Sequence, residues 1–309
     1  MLKRKKKNHL LIVGGTGFIG YHLAKYSINK NWSVSSISLK KSKNYRYLNK
    51  VKYIYIDITK FKEINKKLKG SFSHVVNLCG YNNYSDSKKI KEKIFNINFV
   101  GLTNLVRFFV SKNIKKFVQI GSSAEYGDIK SPQKENKNCL PNSTYGISKL
   151  KSTNYLLEIF GSIRFPVTVL RLFQVYGPKQ GKKNFIPQII HGCLNNTKFA
   201  VSKGKQLRDF CYVEDVVSAI FLTLNNKKVD GEILNVGSGK VITLKNVVNL
   251  VKQIIGKGKP QFGKIKYRTN ENMKVFSNIN KIKKKLKWKS KTKLINGINK
   301  TIQSYKHSA

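Results

Sequence analysis

Acidic residues are scarce in this 309-residue chain: 14 aspartates and glutamates stand against 61 lysines and arginines, for a formal net charge of +47. A surplus of this size can attract nucleic acid or an anionic membrane surface. The lysines occur in every segment, however, and the longest basic run is Lys3–Lys7. We therefore interpret the charge as surface composition, expect no nucleic acid partner, and expect residues 1–7 to form a basic disordered tail.

The chain also lacks long apolar runs and closely spaced cysteines. No stretch approaches the roughly 18 apolar residues of a membrane-spanning helix, and only about five follow the basic start, too few for a signal peptide. Its four cysteines are scattered, without C-x-x-C pairs or metal-ligand spacing: Cys79, Cys139, Cys193 and Cys211. With a hydrophobic content of 40%, these absences predict a globular cytoplasmic protein with no membrane span and no metal site.

A glycine-rich turn follows the first apolar run of the chain, and an amphipathic segment begins inside it. The spacing is G-x-x-G-x-x-G. In a strand–turn–helix unit, the first glycine permits the tight turn, the second lets the backbone approach a pyrophosphate, and the third lets the helix pack on the strand. The first amides of the helix point at the phosphates. The positions predicted to contact a dinucleotide here are Gly14, Gly17, Phe18, Ile19 and Gly20.

Apolar runs alternate with helical patterns through the first half of the chain. The predicted strands are Leu10–Gly14, Ser33–Leu39, Lys52–Ile56, His74–Leu78, Lys116–Ile120 and Val167–Arg171, and the predicted helices are Gly17–Asn29, Phe61–Leu68, Ile90–Ser111 and Ser143–Phe160. This order predicts an α/β fold with a Rossmann-type doubly wound parallel sheet. We place that domain at residues 8–176, with strand 232–236 returning to its sheet, and a smaller C-terminal α/β substrate-binding lid domain at 177–309.

Tyr145 and Lys149 stand four residues apart at the start of a predicted helix, so their side chains emerge on one face. A tyrosine with a pKa near 10 is a weak base at neutral pH, and an adjacent ammonium favours its phenolate. Lowering such a pKa by about 3 units takes roughly 4 kcal/mol. Ser122 and Ser123, which follow a predicted strand, supply hydroxyls that can orient a substrate oxygen. These residues predict proton transfer on a bound substrate.

Together the motifs resemble the extended short-chain dehydrogenases/reductases, the NAD-dependent epimerase/dehydratase family that acts on nucleotide sugars. The resemblance runs from residue 9 to about residue 300. Its main motifs are G-G-T-G-F-I-G at 14–20, S-S-A-E-Y-G at 122–127, L-R-L-F-Q-V-Y-G-P at 170–178 and R-D-F-C-Y-V-E-D at 208–215. It implies an enzyme that moves a hydride between a nicotinamide cofactor and C4 of a nucleotide-diphosphate sugar.

The resemblance also implies roles for single residues. Tyr145 would be the acid/base, Lys149 would hold the nicotinamide ribose, and Ser123 would bind the sugar oxygen. The serine loop is one residue shorter than in many relatives, so Ser122 is the alternative to Ser123. Further cofactor contacts are implied at Asp57, Ile58, Leu78, Cys79 and Asn98. Further substrate contacts are implied at Ser122, Glu125, Asn184, Arg208 and Arg268, the arginines being suited to a diphosphate.

Two places in the chain distinguish members of the family. Dehydratases carry acidic residues directly after the catalytic hydroxyl, whereas here Ala124 precedes the one acid, Glu125. NAD-binding relatives carry an acid about 20 residues past the glycine turn, which binds the ribose 2′-hydroxyl. Ser38 stands at that place, Lys40 follows, and no acid occurs between residues 31 and 51. The pattern disfavours dehydration and favours NADP(H) over NAD(H).

Free exchange of NADPH suits a reductase, whereas epimerases and dehydratases retain their NAD. We therefore favour a 4-keto-6-deoxy nucleotide-sugar reductase for surface polysaccharide synthesis, ahead of a 4-epimerase with tightly bound NAD and a less favoured 4,6-dehydratase. A non-catalytic RNA-binding or redox-sensing relative is the remote alternative, because such proteins usually lose the tyrosine or the lysine. The resemblance further implies a homodimer through helices near 90–111 and 143–160.

Overall fold

The computed structural model of the chain describes residues 7–41, 44–83, 85–269 and 271–306. Residues 1–6 of the predicted basic tail lie outside these ranges. By their contacts the described residues form two compact units. Unit 1 contains the chain up to Gly127, Cys139–Arg171 and Val217–Leu234, and unit 2 contains Asp128–Asn138, Leu172–Val216 and the chain from Asn235.

A seven-stranded sheet is formed by the first half of the chain and one later strand. Its strands are β1 (His9–Val13), β2 (Ser33–Ser38), β3 (Val51–Tyr55), β4 (His74–Asn77), β5 (Lys116–Ser122), β6 (Val167–Leu172) and β10 (Ile233–Val236), in the order β10-β6-β5-β4-β1-β2-β3. The pairs β1–β2, β1–β4, β2–β3 and β4–β5 are parallel. The predicted Rossmann-type sheet is confirmed, with its order reversing beside β1, where such sheets bind ligands.

Helices cover this sheet. They are α1 (Phe18–Asn29), α2 (Phe61–Lys67), α3 (Lys88–Phe95), α4 (Gly101–Phe109) and α5 (Thr144–Ile163), with 3₁₀ turns at Asn44–Arg46, Ser123–Glu125 and Lys227–Val229; α7 (Val213–Leu224) enters unit 1 from unit 2. The strands are apolar throughout because both faces are covered: Leu10, Leu11 and Ile12 of β1 are 0% exposed. Leu105, Phe109 and other apolar residues of α4 pack in the same core.

The predicted helix 90–111 is interrupted in the structure. A π-helical turn, Asn96–Val100, lies between α3 and α4. The Asn98 carbonyl accepts a hydrogen bond from the Ser152 hydroxyl at 2.9 Å, so the widened turn leaves this group satisfied. Apolar periodicity does not reveal such a turn, because the helices on both sides keep their own apolar faces. π turns of this kind are common at functional sites.

Unit 2 consists of short strands and helices. They are β7 (Gln174–Tyr176), α6 (Phe185–Leu194), β8 (Lys198–Val201), β9 (Leu207–Tyr212), β11 (Val241–Thr243), α8 (Leu244–Ile255), β12 (Lys259–Phe262), β13 (Lys274–Val275), α9 (Asn280–Leu286) and α10 (Leu294–Lys306). β9 pairs with β7, β11 and β13, while β8 pairs with β12. Ile190, Val248 and Ile298 lie in its apolar core. Among the described residues, no helix combines the length and apolar character needed to cross a membrane.

The units differ from the two continuous domains expected at 8–176 and 177–309. Residues 217–234 belong to unit 1, where the Gly231 N–H donates to the Val167 carbonyl at 2.7 Å. Residues 128–138 belong to unit 2, where the Gln133 N–H donates to the Phe276 carbonyl at 2.9 Å. Both differences arise from backbone hydrogen bonds between segments far apart in the chain, which no local pattern reveals.

Candidate active site

The glycine turn between β1 and α1 has the geometry of a phosphate-binding turn. Gly14 adopts φ +84°, and a Cβ there would lie 3.1 Å from the Cys79 backbone nitrogen. A Cβ at Gly20 would lie 2.6 Å from the Gly14 carbonyl oxygen, so the helix packs tightly on the turn. Gly17 caps α1 without a side-chain hydrogen bond, and the first turn carries no acid. The first amides of α1 therefore fit an anionic group such as a dinucleotide pyrophosphate.

The end of β2 approaches this turn through Ser38, which is 8% exposed. Its hydroxyl donates to the Ile37 carbonyl at 2.7 Å and accepts from the Thr16 hydroxyl and N–H at 3.0 and 3.3 Å. A hydroxyl has one proton to donate, so that of Ser38 is already used. Lys40, two residues on, is exposed. Of the two residues predicted to meet a 2′-phosphate, Lys40 is the one with hydrogen-bond donors to spare.

Asp57 follows β3 and forms a local turn. Its Oδ1 accepts the Thr59 N–H at 3.0 Å and the Thr59 hydroxyl at 2.7 Å, and the residue is half-buried. The Ile58 side chain is 5% exposed and packs against Gly101 at the start of α4. Ile58 can therefore meet a cofactor through its backbone, while its side chain belongs to the core.

The loop after β4 is held by a buried amide pair that the sequence reading overlooked. Asn77 donates from Nδ2 to Gln119 Oε1 at 2.9 Å, and its Oδ1 accepts the Cys79 N–H at 3.0 Å. Both amides are at most 2% exposed. Burial raises the pKa of the Cys79 thiol, which is therefore neutral at ordinary pH. A polar side chain at the end of an apolar strand was the available signal for this pair.

Asn98, in the π turn, connects this loop with α5. Its Oδ1 accepts the Tyr81 N–H at 2.8 Å, and its Nδ2 donates to the Tyr81 carbonyl at 3.1 Å and to the Ser148 hydroxyl at 2.9 Å. Ser148 in turn donates to the Tyr145 carbonyl at 2.8 Å. Asn98 is 2% exposed, so its expected role in support of the site is exercised through these neighbours.

The start of α5 brings Tyr145 and Lys149 together. The Lys149 ammonium lies 6.0 Å from the centre of the Tyr145 ring and donates to the Ile120 carbonyl at 2.9 Å. Lys149 is 3% exposed, and burial lowers its pKa while the charge of Glu125 raises it. A Cβ at Gly146 would lie 2.4 Å from the Ala124 carbonyl oxygen, so α5 and the serine turn approach within contact distance.

The serine turn separates the two serine candidates. The Ser122 hydroxyl accepts the Ala124 N–H at 3.1 Å as the cap of the 3₁₀ turn Ser123–Glu125. The half-buried Ser123 hydroxyl makes no hydrogen bond to any residue that the structure describes. Its donor therefore remains available to a substrate oxygen, which supports Ser123 as the site hydroxyl.

The expectation that Glu125 contacts substrate is not supported by its position. Its side chain is 0% exposed and forms an ion pair with Arg171 at 2.7 Å. It also accepts the Ser122 N–H and the Thr153 hydroxyl, both at 2.8 Å. The carboxylate is buried because the shorter serine loop directs it into the core, where Arg171 of β6 and Thr153 of α5 complete its hydrogen bonds. Neither partner was identified from the sequence.

The three substrate residues expected from the later motifs all lie in unit 2. Arg208 is 9% exposed and donates to Glu271 Oε1 at 2.5 Å, so a diphosphate would compete with that carboxylate for the guanidinium. Asn184 is the exposed N-cap residue of α6 and makes no side-chain cap. Arg268 is exposed.

Asp209, beside Arg208, was not identified from the sequence. It is 0% exposed and accepts the Ser238 N–H at 2.7 Å, the Ser238 hydroxyl at 2.6 Å and the Gly239 N–H at 3.1 Å. The Ser277 hydroxyl also donates to it. A conserved-looking acid in so basic a chain invites a catalytic role, but these bonds make Asp209 the anchor of the loop after β10.

Comparisons with known proteins agree with this geometry. The chain matches the model of the NAD dependent epimerase/dehydratase family over residues 10–237. It is 29% identical to a putative UDP-glucose 4-epimerase of Methanocaldococcus jannaschii, over 97% of this chain and 99% of that protein. It is 26% identical to a dTDP-4-dehydro-6-deoxyglucose reductase of Escherichia coli, over 97% and 98%.

Two further matches differ in how much they cover. A dTDP-D-glucose 4,6-dehydratase of Dictyostelium discoideum is 27% identical over 78% of this chain, and the chain spans 62% of that protein's length. The crystal structure of a UDP-glucose 4-epimerase from Thermotoga maritima, solved with UDP-glucose, has a TM-score of 0.89 at 25% identity, covering 97% of this chain and 99% of that one.

The fold and the Tyr145–Lys149 geometry define an enzyme of the extended short-chain dehydrogenase/reductase type. The chain belongs to the NAD-dependent epimerase/dehydratase family, because the family model covers well over half of its length.

Proposed function

We propose that this protein is an NADP(H)-dependent reductase of a 4-keto-6-deoxy nucleotide sugar. The observation that carries the proposal is the end of β2, where Ser38 stands in place of an acid and exposed Lys40 follows. A carboxylate there would repel a 2′-phosphate, whereas an ammonium attracts it. NADPH is a cosubstrate that exchanges at each turnover, which suits net reduction. The near full-length similarity to a 4-keto sugar reductase is in keeping with this.

The residues of unit 1 then divide the chemistry among themselves. The bound nicotinamide supplies the hydride to C4. Tyr145 donates its proton to the C4 oxygen as the ketone becomes an alcohol, and Ser123 binds the same oxygen. The Lys149 ammonium, held 6.0 Å from the Tyr145 ring, stabilises the phenolate that remains and binds the nicotinamide ribose. Asn184, Arg208 and Arg268 would contact the diphosphate of the substrate.

A 4-epimerase with retained NAD is the second candidate. Two observations favour it: the Ser38 proton is already donated to Ile37, and a relative matched over nearly its full length is named as a putative 4-epimerase. Dehydration is less favoured than either, because the acid it needs would be Glu125, which is 0% exposed and paired with Arg171.

The test is a panel of 4-keto-6-deoxy nucleotide sugars that differ in the base, each mixed with the enzyme and NADPH while nicotinamide absorbance is followed. Reduction by the wild type and none by Tyr145→Phe is the expected result. Ser27→Ala, which removes a buried hydroxyl of α1, is the control for a small internal change and should retain the rate. Interconversion of 4-hydroxy nucleotide sugars without added cofactor, and no reduction, would establish the epimerase instead.

We also propose a homodimer formed through α5 in the cytoplasm. A surface groove of about 350 Å³ lies along this helix, lined by Phe99, Pro141, Ile147, Leu150 and other residues. Ile147 is 50% exposed, which is costly for an apolar side chain unless a second copy covers it. The four cysteines are free thiols, in keeping with a reducing compartment.

A further inference from the structure

Glu125 is fully buried at the serine turn, and the proposed reaction gives it no chemical step. Its Oε1 accepts the Ser122 N–H at 2.8 Å. Its Oε2 accepts the Thr153 hydroxyl at 2.8 Å and the Arg171 Nε–H at 2.7 Å. One carboxylate therefore joins the serine turn, the catalytic helix α5 and the strand β6.

The backbone around this carboxylate also positions Lys149. A Cβ at Gly121 would lie 2.4 Å from Glu125 Oε1, so the carboxylate packs directly on the bare backbone of β5. The preceding residue, Ile120, offers the carbonyl that accepts the Lys149 ammonium at 2.9 Å. Thr153 follows Lys149 by one helical turn, on the same face of α5. Glu125 and Lys149 are thus anchored to adjacent residues of β5 and to adjacent turns of α5.

The charge of Glu125 acts on Lys149 as well. Burial lowers the pKa of Lys149, and the charges of Glu125 and Cys79 raise it. Burial raises the pKa of Cys79, so its thiol is neutral and Glu125 is the anion that remains near the ammonium. Arg171 lies on the far side, between Glu125 and the rings and thiol of Tyr126 and Cys139.

We propose that Glu125 is a positioning residue, whose buried carboxylate clamps the serine turn to α5 and β6 and keeps the Lys149 ammonium charged beside Tyr145. The inference rests on the proposed function, in which Tyr145 and Lys149 handle the proton. It replaces the expected substrate contact: Glu125 reaches no reacting atom and acts through Lys149.

The ionisation of Tyr145 tests this without any substrate. The protein is labelled at tyrosine Cζ, the titration is followed by NMR, and the Tyr145 signal is assigned with Tyr145→Phe. Glu125→Gln removes the charge and keeps an acceptor for Ser122. Lys149 then loses its proton at lower pH, and Tyr145 should ionise about one pH unit higher. Thr153→Val is the matched control, since it removes one hydrogen bond of the carboxylate and leaves the charge. Its Tyr145 should titrate as in the wild type.

A second variant separates the electrostatic effect from damage to the fold. Glu125→Gln leaves the buried Arg171 cation unpaired, which destabilises the protein, whereas Glu125→Gln/Arg171→Met removes both charges. The double variant should show the same upward shift, and Glu125→Asp, which keeps the charge, should restore the wild-type titration. An unshifted Tyr145 in both charge-removing variants, or an equal shift in Thr153→Val, overturns the proposal. Absence of reductase activity in the wild type contradicts the proposed function alone, because the titration needs no substrate.

Discussion

Replacing Asn98 by alanine removes the one side chain that holds the loop after β4 to α5. Three hydrogen bonds are lost, two to the Tyr81 backbone and one to Ser148, at 2.8, 3.1 and 2.9 Å. Tyr81 is half-buried and regains water, and Ser148 keeps its bond to the Tyr145 carbonyl. Each bond is therefore counted at its net value of about 1 kcal/mol, and we expect the free energy of unfolding to fall by about 3 kcal/mol.

Urea unfolding measures this loss, and turnover per folded molecule measures its effect on the site. Asn104→Ala is the matched control, because the Asn104 amide donates to the Ile58 and Thr59 carbonyls, both at 3.0 Å, and touches neither Tyr81 nor α5. It should cost about 2 kcal/mol and keep kcat at saturating cofactor, whereas Asn98→Ala should lower kcat. A loss below about 1 kcal/mol for Asn98→Ala, or equal effects of the two variants on kcat, would refute the reasoning.

Three other predictions concern separate parts of the molecule. Ser123→Ala should lower kcat about 100-fold and barely change stability, whereas Ser122→Ala should cost about 1 kcal/mol of stability through its lost cap and lower kcat less; the reverse would make Ser122 the site hydroxyl. Burial lowers the pKa of His74 to about 4. Between about pH 6.5 and 4 the unfolded chain binds a proton that the folded chain does not, so the free energy of unfolding should drop by about 2 kcal/mol as the pH falls, and His74→Gln should flatten this dependence in urea titrations. Ile147→Asp should convert the proposed dimer to monomer in sedimentation velocity, and an unchanged mass would exclude that face.

The turn at Gly14 and the pair Tyr145–Lys149 could be predicted because each depends on spacing within one element. A positive φ and a close helix–strand approach require glycine at known intervals, and residues four apart on a helix share a face. The structure shows both arrangements directly: Gly14 has φ +84°, and the Lys149 ammonium lies 6.0 Å from the Tyr145 ring. The parallel sheet was predictable for a similar reason, since its buried strands are continuously apolar.

The role of Glu125 and the turn around Asn98 were beyond such reasoning. Glu125 is buried because Arg171 and Thr153, 46 and 28 residues further along the chain, complete its hydrogen bonds. An acid beside a catalytic hydroxyl looks the same in the sequence whether it faces substrate or the core. The Asn98 turn likewise depends on hydrogen bonds to Tyr81 and Ser152 from distant segments. Long-range polar contacts decide both cases.

The dinucleotide that the protein binds tests the central claim most directly. Protein purified without added cofactor is denatured, any released dinucleotide is identified by mass, and the empty protein is titrated with NADPH and NADH. We expect little bound dinucleotide and at least about tenfold tighter binding of NADPH, with Lys40→Glu removing that preference because a carboxylate repels the 2′-phosphate. Stoichiometric NAD in the purified protein, or equal affinity for the two cofactors, would contradict the account.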